Sequence, residues 1–188
     1  MLVKGWMSTD VITIDEDTSM MKASQIMKEN NIRRLPVMRK GKLVGIVTDR
    51  DIKEASPSKA TTLDVHELYY LLSELKVKDI MRKNLVTISP EETVEKAAVK
   101  MLEHRISGLP VVNEKGNLVG IITQGDIFKV LVSLTGIYRG GIQLAFNLED
   151  RPGSIKEVAD VIRKHNGTMV SILTSYDMCE ENCRHVYI

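Results

Sequence analysis

Two short segments of this sequence combine a hydroxyl and a carboxylate at the same spacing. Residues 45–51 contain Thr48 and Asp51, and residues 120–126 contain Thr123 and Asp126, each pair at the end of an apolar run. A Thr or Asp oxygen can cap a helix N-terminus, which contributes ~0.5 to 2 kcal/mol. A carboxylate there is also the usual acceptor for paired ribose hydroxyls, and helix N-termini suit phosphates. One copy would leave the two interpretations equally open; recurrence in both copies favours ribose binding.

A second group of polar residues surrounds a proline in each copy. Arg33 and Arg34 precede Pro36, and Arg50 lies beside Asp51. Guanidinium groups match phosphate oxygens, which makes these three cations candidates for a phosphate site, although adjacent arginines also occur on solvated turns. The other copy has Ser107, Gly108 and Pro110 at the corresponding positions, and Gly125 in place of Arg50. The two candidate sites therefore differ in charge.

Both groups belong to an internal repeat. Pro36 corresponds to Pro110 at an offset of 74 residues, and after one inserted residue Gly45 corresponds to Gly120 at an offset of 75. Each copy has a strand, an amphipathic helix with apolar positions spaced by three and four, a β-hairpin and a short helix. The strands are predicted at 11–14 and 85–88, the first helices at 18–30 and 92–104, and the hairpins at 35–47 and 109–122. This pattern predicts an α+β fold of two β-α-β-β-α units.

The rest of the sequence supplies a linker and a further unit. A helix that begins near Asp64 is predicted to bridge the repeats, with Tyr69 and Tyr70 packing against the pair rather than stacking on a base. From Gly140 the pattern predicts a strand at 142–148, a helix at 155–165 and a strand at 168–176. The predicted boundaries are 1–55 for repeat 1, 56–76 for the linker, 77–133 for repeat 2 and 140–188 for an incomplete C-terminal domain.

The repeats resemble a tandem pair of CBS domains, through the Leu-Pro-Val strand and the Gly-x-x-Thr-x-x-Asp ending of each copy. The resemblance implies an α/β sandwich in which the repeats pack as a pseudo-twofold pair with two clefts for adenosyl ligands: AMP, ADP, ATP or S-adenosylmethionine. It assigns ribose to Asp51 and Asp126, and ribose or phosphate to Thr48 and Thr123. The adenine edge would be read by the main chain at Ile12, Thr13, Val86 and Thr87. Arg33, Arg34 and Arg50 would neutralise phosphate, and Pro36, Ser107, Gly108 and Pro110 complete the predicted site.

Residues 148–155 resemble the first strand-to-helix turn of an ACT domain, a small ferredoxin-like regulatory unit. The resemblance implies an amino-acid ligand near Asp150, Gly153 and Ile155, although a Pro-Gly turn also simply begins a helix. The whole chain is similar to the acetoin-utilisation B family, in which a CBS pair precedes an ACT unit.

Composition and the remaining polar residues exclude several classes of protein. A net charge of +1 with interspersed signs is not typical of a nucleic-acid binder, and no apolar run approaches a membrane span or a secretory signal, which indicates a cytoplasmic protein. Cys179, Cys183 and His185 form too small a cluster for a predicted metal site. The other histidines lack a nucleophile or relay, so the sequence predicts neither an enzyme nor a required cofactor.

The sequence therefore predicts a homodimeric, non-catalytic sensor. An adenosyl ligand between the repeats would shift the pair between two arrangements, and the ACT-like unit or an effector protein would receive the change. Two alternatives stay open: a structural dimerisation module without a physiological nucleotide, and an amino-acid sensor that acts through the ACT-like unit.

Overall fold

A computed structural model describes residues 1–56, 74–179 and 181–188 of the chain. The predicted bridging helix with Tyr69 and Tyr70 lies outside these residues. The chain divides into two compact units, Met1–Asp126 and Ile127–Ile188.

The first repeat contains a three-stranded sheet and two helices. In chain order these are β1 (Ile14–Asp15), α1 (Met20–Glu29), β2 (Arg34–Arg39), β3 (Lys42–Thr48) and α2 (Asp49–Ala55). β1 is parallel to β2, and β2 and β3 form an antiparallel hairpin. The turn of that hairpin requires Gly41, whose φ of +76° lies in the region where a side chain is strained.

The second repeat follows the same order with one difference at its start. Its elements are α3 (Val77–Ile80), α4 (Val94–Glu103), β4 (Gly108–Val112), β5 (Leu118–Thr123) and α5 (Gln124–Thr135). The strand predicted at 85–88 is reduced to a single parallel bridge between Ile88 and Val111. Pro90, two residues after Ile88, corresponds to Glu16 of repeat 1 and has no N–H, so it cannot make the bond that Glu16 N donates to the Met38 carbonyl. The prediction for 11–14 was likewise too long, since only Ile14 and Asp15 pair with β2.

The two repeats exchange their N-terminal segments. Val77 N–H donates to the carbonyl of Thr18 at 2.9 Å, and its equivalent Val3 donates to the carbonyl of Glu92 at the same distance. Both valines are completely buried, and Val77 belongs to the hydrophobic core formed with Leu35 of the first repeat. Each repeat therefore contributes a buried valine to the core of the other.

The exchanged segments explain the glycine that begins each Gly-x-x-Thr-x-x-Asp ending. Arg82 pairs by main-chain hydrogen bonds with Ile46 of β3, and Ser8 pairs in the same way with Ile121 of β5. A Cβ on Gly120 would lie 2.5 Å from the Met7 sulfur and 3.0 Å from the Ser8 carbonyl oxygen. The segment can cross the strand this closely only where the strand has no side chain.

The C-terminal unit has β-α-β-β order after the 3-10 turn Ile137–Arg139. Its elements are β6 (Ala145–Glu149), α6 (Ser154–Lys164), β7 (Leu173–Ser175) and β8 (Cys183–Tyr187). The sheet order is β6-β8-β7 with antiparallel neighbours, so β8 lies between the two strands joined by the helix. The strand predicted at 168–176 was too long, because this edge strand has only three residues in register with β8. None of the helices in the described residues has both the length and the hydropathy of a membrane span.

Candidate functional site

The corner between β3 and α2 is held by Thr48 and Asp51 in a reciprocal capping box. Thr48 Oγ1 accepts from the Asp51 N–H at 3.3 Å, while Asp51 Oδ2 accepts from Thr48 N at 2.9 Å and from Thr48 Oγ1 at 2.5 Å. The Asp51 residue is only 7% exposed. Capping thus accounts for one carboxylate oxygen and leaves Oδ1 for another partner.

The second repeat reproduces this corner closely. Asp126 Oδ2 accepts from Thr123 N at 2.9 Å and from Thr123 Oγ1 at 2.7 Å, and Asp126 is 5% exposed. The two corners are built alike because the residues that form them are three positions apart, where a strand runs directly into a helix.

Arg82 is a residue at the Asp51 corner that the sequence did not predict. Its Nε donates to Asp51 Oδ1 at 2.9 Å, and this ion pair joins the second repeat to the corner of the first. The Arg82 side chain is 53% exposed, whereas the Asp51 side chain is 6% exposed. The internal repeat marks this position, because Arg82 follows Met81 as Ser8 follows the matching Met7, at the same offset of 74 residues. The two copies therefore differ here by a cation.

The three arginines grouped by the sequence have separate contacts. Arg50 pairs with Glu54 on the exposed surface of α2 at 2.9 Å. Arg33 lines a cavity of about 290 Å³ between α1 and α2, together with Asp49. Arg34 alone reaches the other repeat, where it donates to the Ser107 carbonyl and, at 2.8 Å, to Ser107 Oγ.

Arg34 is a partly buried cation between the two corners. Burial lowers the pKa of its guanidinium below the ordinary value, while the carboxylates of Asp49 and Asp126 oppose that shift. A Cβ on Gly108 would lie 2.7 Å from Arg34 Cζ, so the guanidinium occupies the space that this glycine leaves. Ser107 and Gly108 are therefore placed beside a cation of the first repeat.

The main-chain segments predicted to contact adenine are 12–13 and 86–87. The first precedes Ile14 of β1, and the second precedes Ile88, which forms the isolated bridge to Val111. Pro36 and Pro110 are buried in β2 and β4. Of the four main-chain candidates, Thr13 is exposed and the other three are half-buried: Ile12, Val86 and Thr87. The Thr87 carbonyl accepts from Lys100 Nζ at 3.1 Å. Lys100 has no cationic counterpart in repeat 1, where Ile26 occupies the equivalent position, so the second segment has a contact that the first cannot make.

The C-terminal candidates lie around the start of α6. Gly153 adopts a φ of +94° and precedes the helix, and Ile155 is half-buried in its first turn. Arg184 from β8 forms an ion pair with Asp150, in which Nη1 lies 3.5 Å from Oδ1, and its Nη2 donates to Ser154 Oγ at 3.0 Å. Among the described residues, Arg184 Nε is the one buried side-chain nitrogen or oxygen without a hydrogen-bond partner. Sequence reasoning missed this arginine because it lies about thirty residues from the turn.

The cysteines do not form a metal site with the other described residues. Cys179 and Cys183 are free, and no cluster of three or more His, Cys, Asp or Glu suitable for a metal occurs in residues 1–56, 74–179 and 181–188. Cys179 contacts Asn147 Oδ1 at 3.9 Å and the Ser175 carbonyl at 3.8 Å.

These features define a tandem CBS pair, and comparison with known proteins places the chain in that family. The CBS domain family model matches residues 3–58 and 77–133, and the chain belongs to the CBS-domain proteins. A CBS domain-containing protein of Dictyostelium discoideum is 37% identical over 134 residues, which are 71% of this chain and 92% of that protein. The resemblance to a CBS pair is therefore confirmed.

Some relatives are much longer than this chain. The inosine-5′-monophosphate dehydrogenase of Korarchaeum cryptofilum is 40% identical over 119 residues, which are 63% of this chain and only 22% of that enzyme. The matched region is therefore a small part of that enzyme.

Solved structures of CBS pairs share the fold. The CBS pair of protein MJ0100, in complex with 5′-methylthioadenosine and S-adenosyl-L-methionine, superposes with a TM-score of 0.58 at 34% identity, over 70% of this chain and 95% of that one. CBSX2 of Arabidopsis thaliana in complex with AMP gives a TM-score of 0.57 at 28% identity, over 70% and 96%. AcuB of Vibrio cholerae gives 0.60 at 26% identity, over 76% and 98%. The predicted mixed α+β CBS fold is confirmed; the C-terminal ACT assignment stays a prediction.

Proposed function

We propose that this protein is a non-catalytic sensor that binds adenosyl ligands in two clefts, one at the Asp51 corner and one at the Asp126 corner. The observation that carries the proposal is the duplicated, buried Thr-Asp corner at the junction of a strand and a helix. Support also comes from related CBS pairs that hold 5′-methylthioadenosine, S-adenosylmethionine or AMP.

In this proposal each ligand is held by three kinds of group. The aspartates accept hydrogen bonds from the ribose hydroxyls, and each capping threonine fixes the orientation of its carboxylate. Arg34, between the two corners, attracts the phosphate of a nucleotide, because a partly desolvated guanidinium binds phosphate through paired charge-assisted hydrogen bonds. Main chain at Ile12 and Thr13, and at Val86 and Thr87, contacts the adenine.

Thermal shift and calorimetry with AMP, ADP, ATP, NAD, 5′-methylthioadenosine and S-adenosylmethionine test the proposal. A ligand at ~100 times its Kd stabilises the folded state by ~2.7 kcal/mol. The double variant Asp51→Asn with Asp126→Asn should abolish the shift, since the amide keeps an oxygen for the cap but loses the charge that favours ribose hydroxyls. Asp17→Asn, which changes a carboxylate that pairs with Lys78 and is 65% exposed, is the matched control and should bind as the wild type.

The same experiment separates the sensor from a purely structural dimerisation module. Loss of ligand binding with unchanged oligomeric state supports the sensor. The absence of any shift in the wild type, or full binding by the double Asn variant, would refute it.

The sensor also requires a receiver of the signal. A ligand changes the arrangement of the repeats only if it binds two arrangements with unequal affinity, so we propose that the homodimer or an effector protein responds to that difference. Light scattering with and without ligand measures the oligomeric state, and a monomer at micromolar concentration contradicts the homodimer. Release of product from any nucleotide by the purified chain would contradict a non-catalytic role. The cytoplasmic location stays a prediction from the sequence.

For the C-terminal unit we propose an ACT-like fold. The β-α-β-β order with β8 between β6 and β7 is that of a split β-α-β arrangement, which supports the assignment. The partnerless Nε of Arg184 beside Asp150 favours a carboxylate-bearing ligand such as an amino acid. A thermal-shift screen of the twenty amino acids, with Arg184→Gln as the comparison variant, tests this role.

A further inference from the structure

We infer that Arg82 determines which adenosyl ligand the Asp51 cleft accepts, selecting ligands that carry phosphate over uncharged 5′-methylthioadenosine. The inference rests on the proposed function, because it concerns the same cleft. Arg82 belongs to none of the motifs that mark the repeats. It enters the cleft from the exchanged segment of the second repeat, where its main chain pairs with Ile46 of β3.

The ion pair occupies an acceptor that ribose needs. Asp51 Oδ2 already accepts from Thr48 N and Thr48 Oγ1, so its two lone pairs are used by the cap. Oδ1 accepts from Arg82 Nε at 2.9 Å, which leaves one lone pair on that oxygen. Two ribose hydroxyls therefore bind fully only if Arg82 moves away from Oδ1.

A phosphate makes that displacement favourable, and an uncharged ligand does not. The Arg82 side chain is 53% exposed and reaches the cleft from a fixed main-chain position, so its guanidinium can turn from the carboxylate to a ligand anion nearby. A phosphate offers it a new charge-assisted partner. 5′-Methylthioadenosine offers none, so this ligand must compete with the ion pair.

The second cleft has a different residue at this position. Ser8 makes the same main-chain pair with Ile121 that Arg82 makes with Ile46, but its side chain is short and uncharged. The two clefts, alike in their Thr-Asp corners, should therefore differ in ligand charge preference.

The test measures the ratio of AMP affinity to 5′-methylthioadenosine affinity by calorimetry. The full-length protein carries Asp126→Asn so that only the Asp51 cleft is measured. Arg82→Ser, which installs the residue of the other repeat, should weaken AMP binding by about tenfold, as expected for one lost charge-assisted hydrogen bond, and leave 5′-methylthioadenosine equal or tighter. Arg82→Lys should keep part of the AMP preference. Lys83→Ser removes the same charge one residue further on and should leave the ratio unchanged.

The reciprocal exchange uses the other cleft. In protein carrying Asp51→Asn, Ser8→Arg should raise the preference for AMP over 5′-methylthioadenosine at the Asp126 cleft. An unchanged ratio in both exchanges, or equal weakening of both ligands by Arg82→Ser in a variant that melts as the wild type does, would overturn the inference while leaving the proposed function intact. If the wild type binds neither ligand, the proposed function fails and this inference fails with it.

Discussion

The exchanged N-terminal segment makes a strong prediction about Val3. A residue so near the start of a chain usually tolerates substitution. Val3, however, is completely buried, and its N–H donates to the Glu92 carbonyl at 2.9 Å. Val3→Ala removes two buried methyl groups, which costs about 1.6 kcal/mol in transfer free energy, and incomplete collapse of the cavity raises the expected loss of unfolding free energy to about 2 to 3 kcal/mol.

Urea unfolding followed by circular dichroism measures this loss. Leu2→Ala is the matched control, because Leu2 is the adjacent apolar residue and is 39% exposed, so it should lower the unfolding free energy clearly less than Val3→Ala does. Val77→Ala, the equivalent change in the other exchanged segment, should cost as much as Val3→Ala. If Val3→Ala is as mild as Leu2→Ala, the segment does not complete the core of the second repeat and the reasoning is refuted.

Two further predictions concern close packing and acid stability. Gly45→Ala places a methyl group 3.0 Å from Met81 Cγ and should destabilise the protein by about 1 to 3 kcal/mol, whereas Gly5→Ala, which meets nothing within 4 Å, should be nearly neutral in the same thermal melts. The pKa of Glu92 is lowered in the folded state, chiefly by the hydrogen bond from Ser89 N. The Glu92 carboxylate therefore stabilises the fold above the ordinary carboxyl pKa, and this stabilisation is lost as pH falls through the folded-state pKa of Glu92. Glu92→Gln should therefore flatten the dependence of the urea midpoint on pH below about 4.5, and an unchanged slope would contradict this.

The order of elements and the position of each Thr-Asp corner could be predicted because both depend on local sequence. The capping box spans three residues, and a strand that runs into a helix leaves its geometry little freedom. The internal repeat marks the position of Arg82, but its contact with Asp51 could not be predicted, since that contact depends on segments exchanged between the repeats. Arg33 and Arg34 have different contacts, because successive residues at the start of a strand point to opposite faces: Arg33 lines the cavity between the helices and Arg34 crosses to Ser107. Their joint role at a phosphate stays a prediction.

That crossing makes Arg34 and Gly108 a coupled pair, and their coupling is measurable. Gly108→Ala should be destabilising when Arg34 is present, because a Cβ there would lie 2.7 Å from Arg34 Cζ and would push the guanidinium from Ser107. In an Arg34→Ser background the same change meets no guanidinium and should cost much less. A double-mutant cycle on unfolding free energy should therefore give a coupling of about 0.5 to 3 kcal/mol, and additive effects would show that the guanidinium does not occupy this space in solution. Arg34 lies between the two corners, so the same cycle repeated with saturating AMP tests whether nucleotide binding moves the guanidinium. If phosphate replaces Ser107 as the partner of Arg34, the coupling energy between Arg34 and Gly108 should fall.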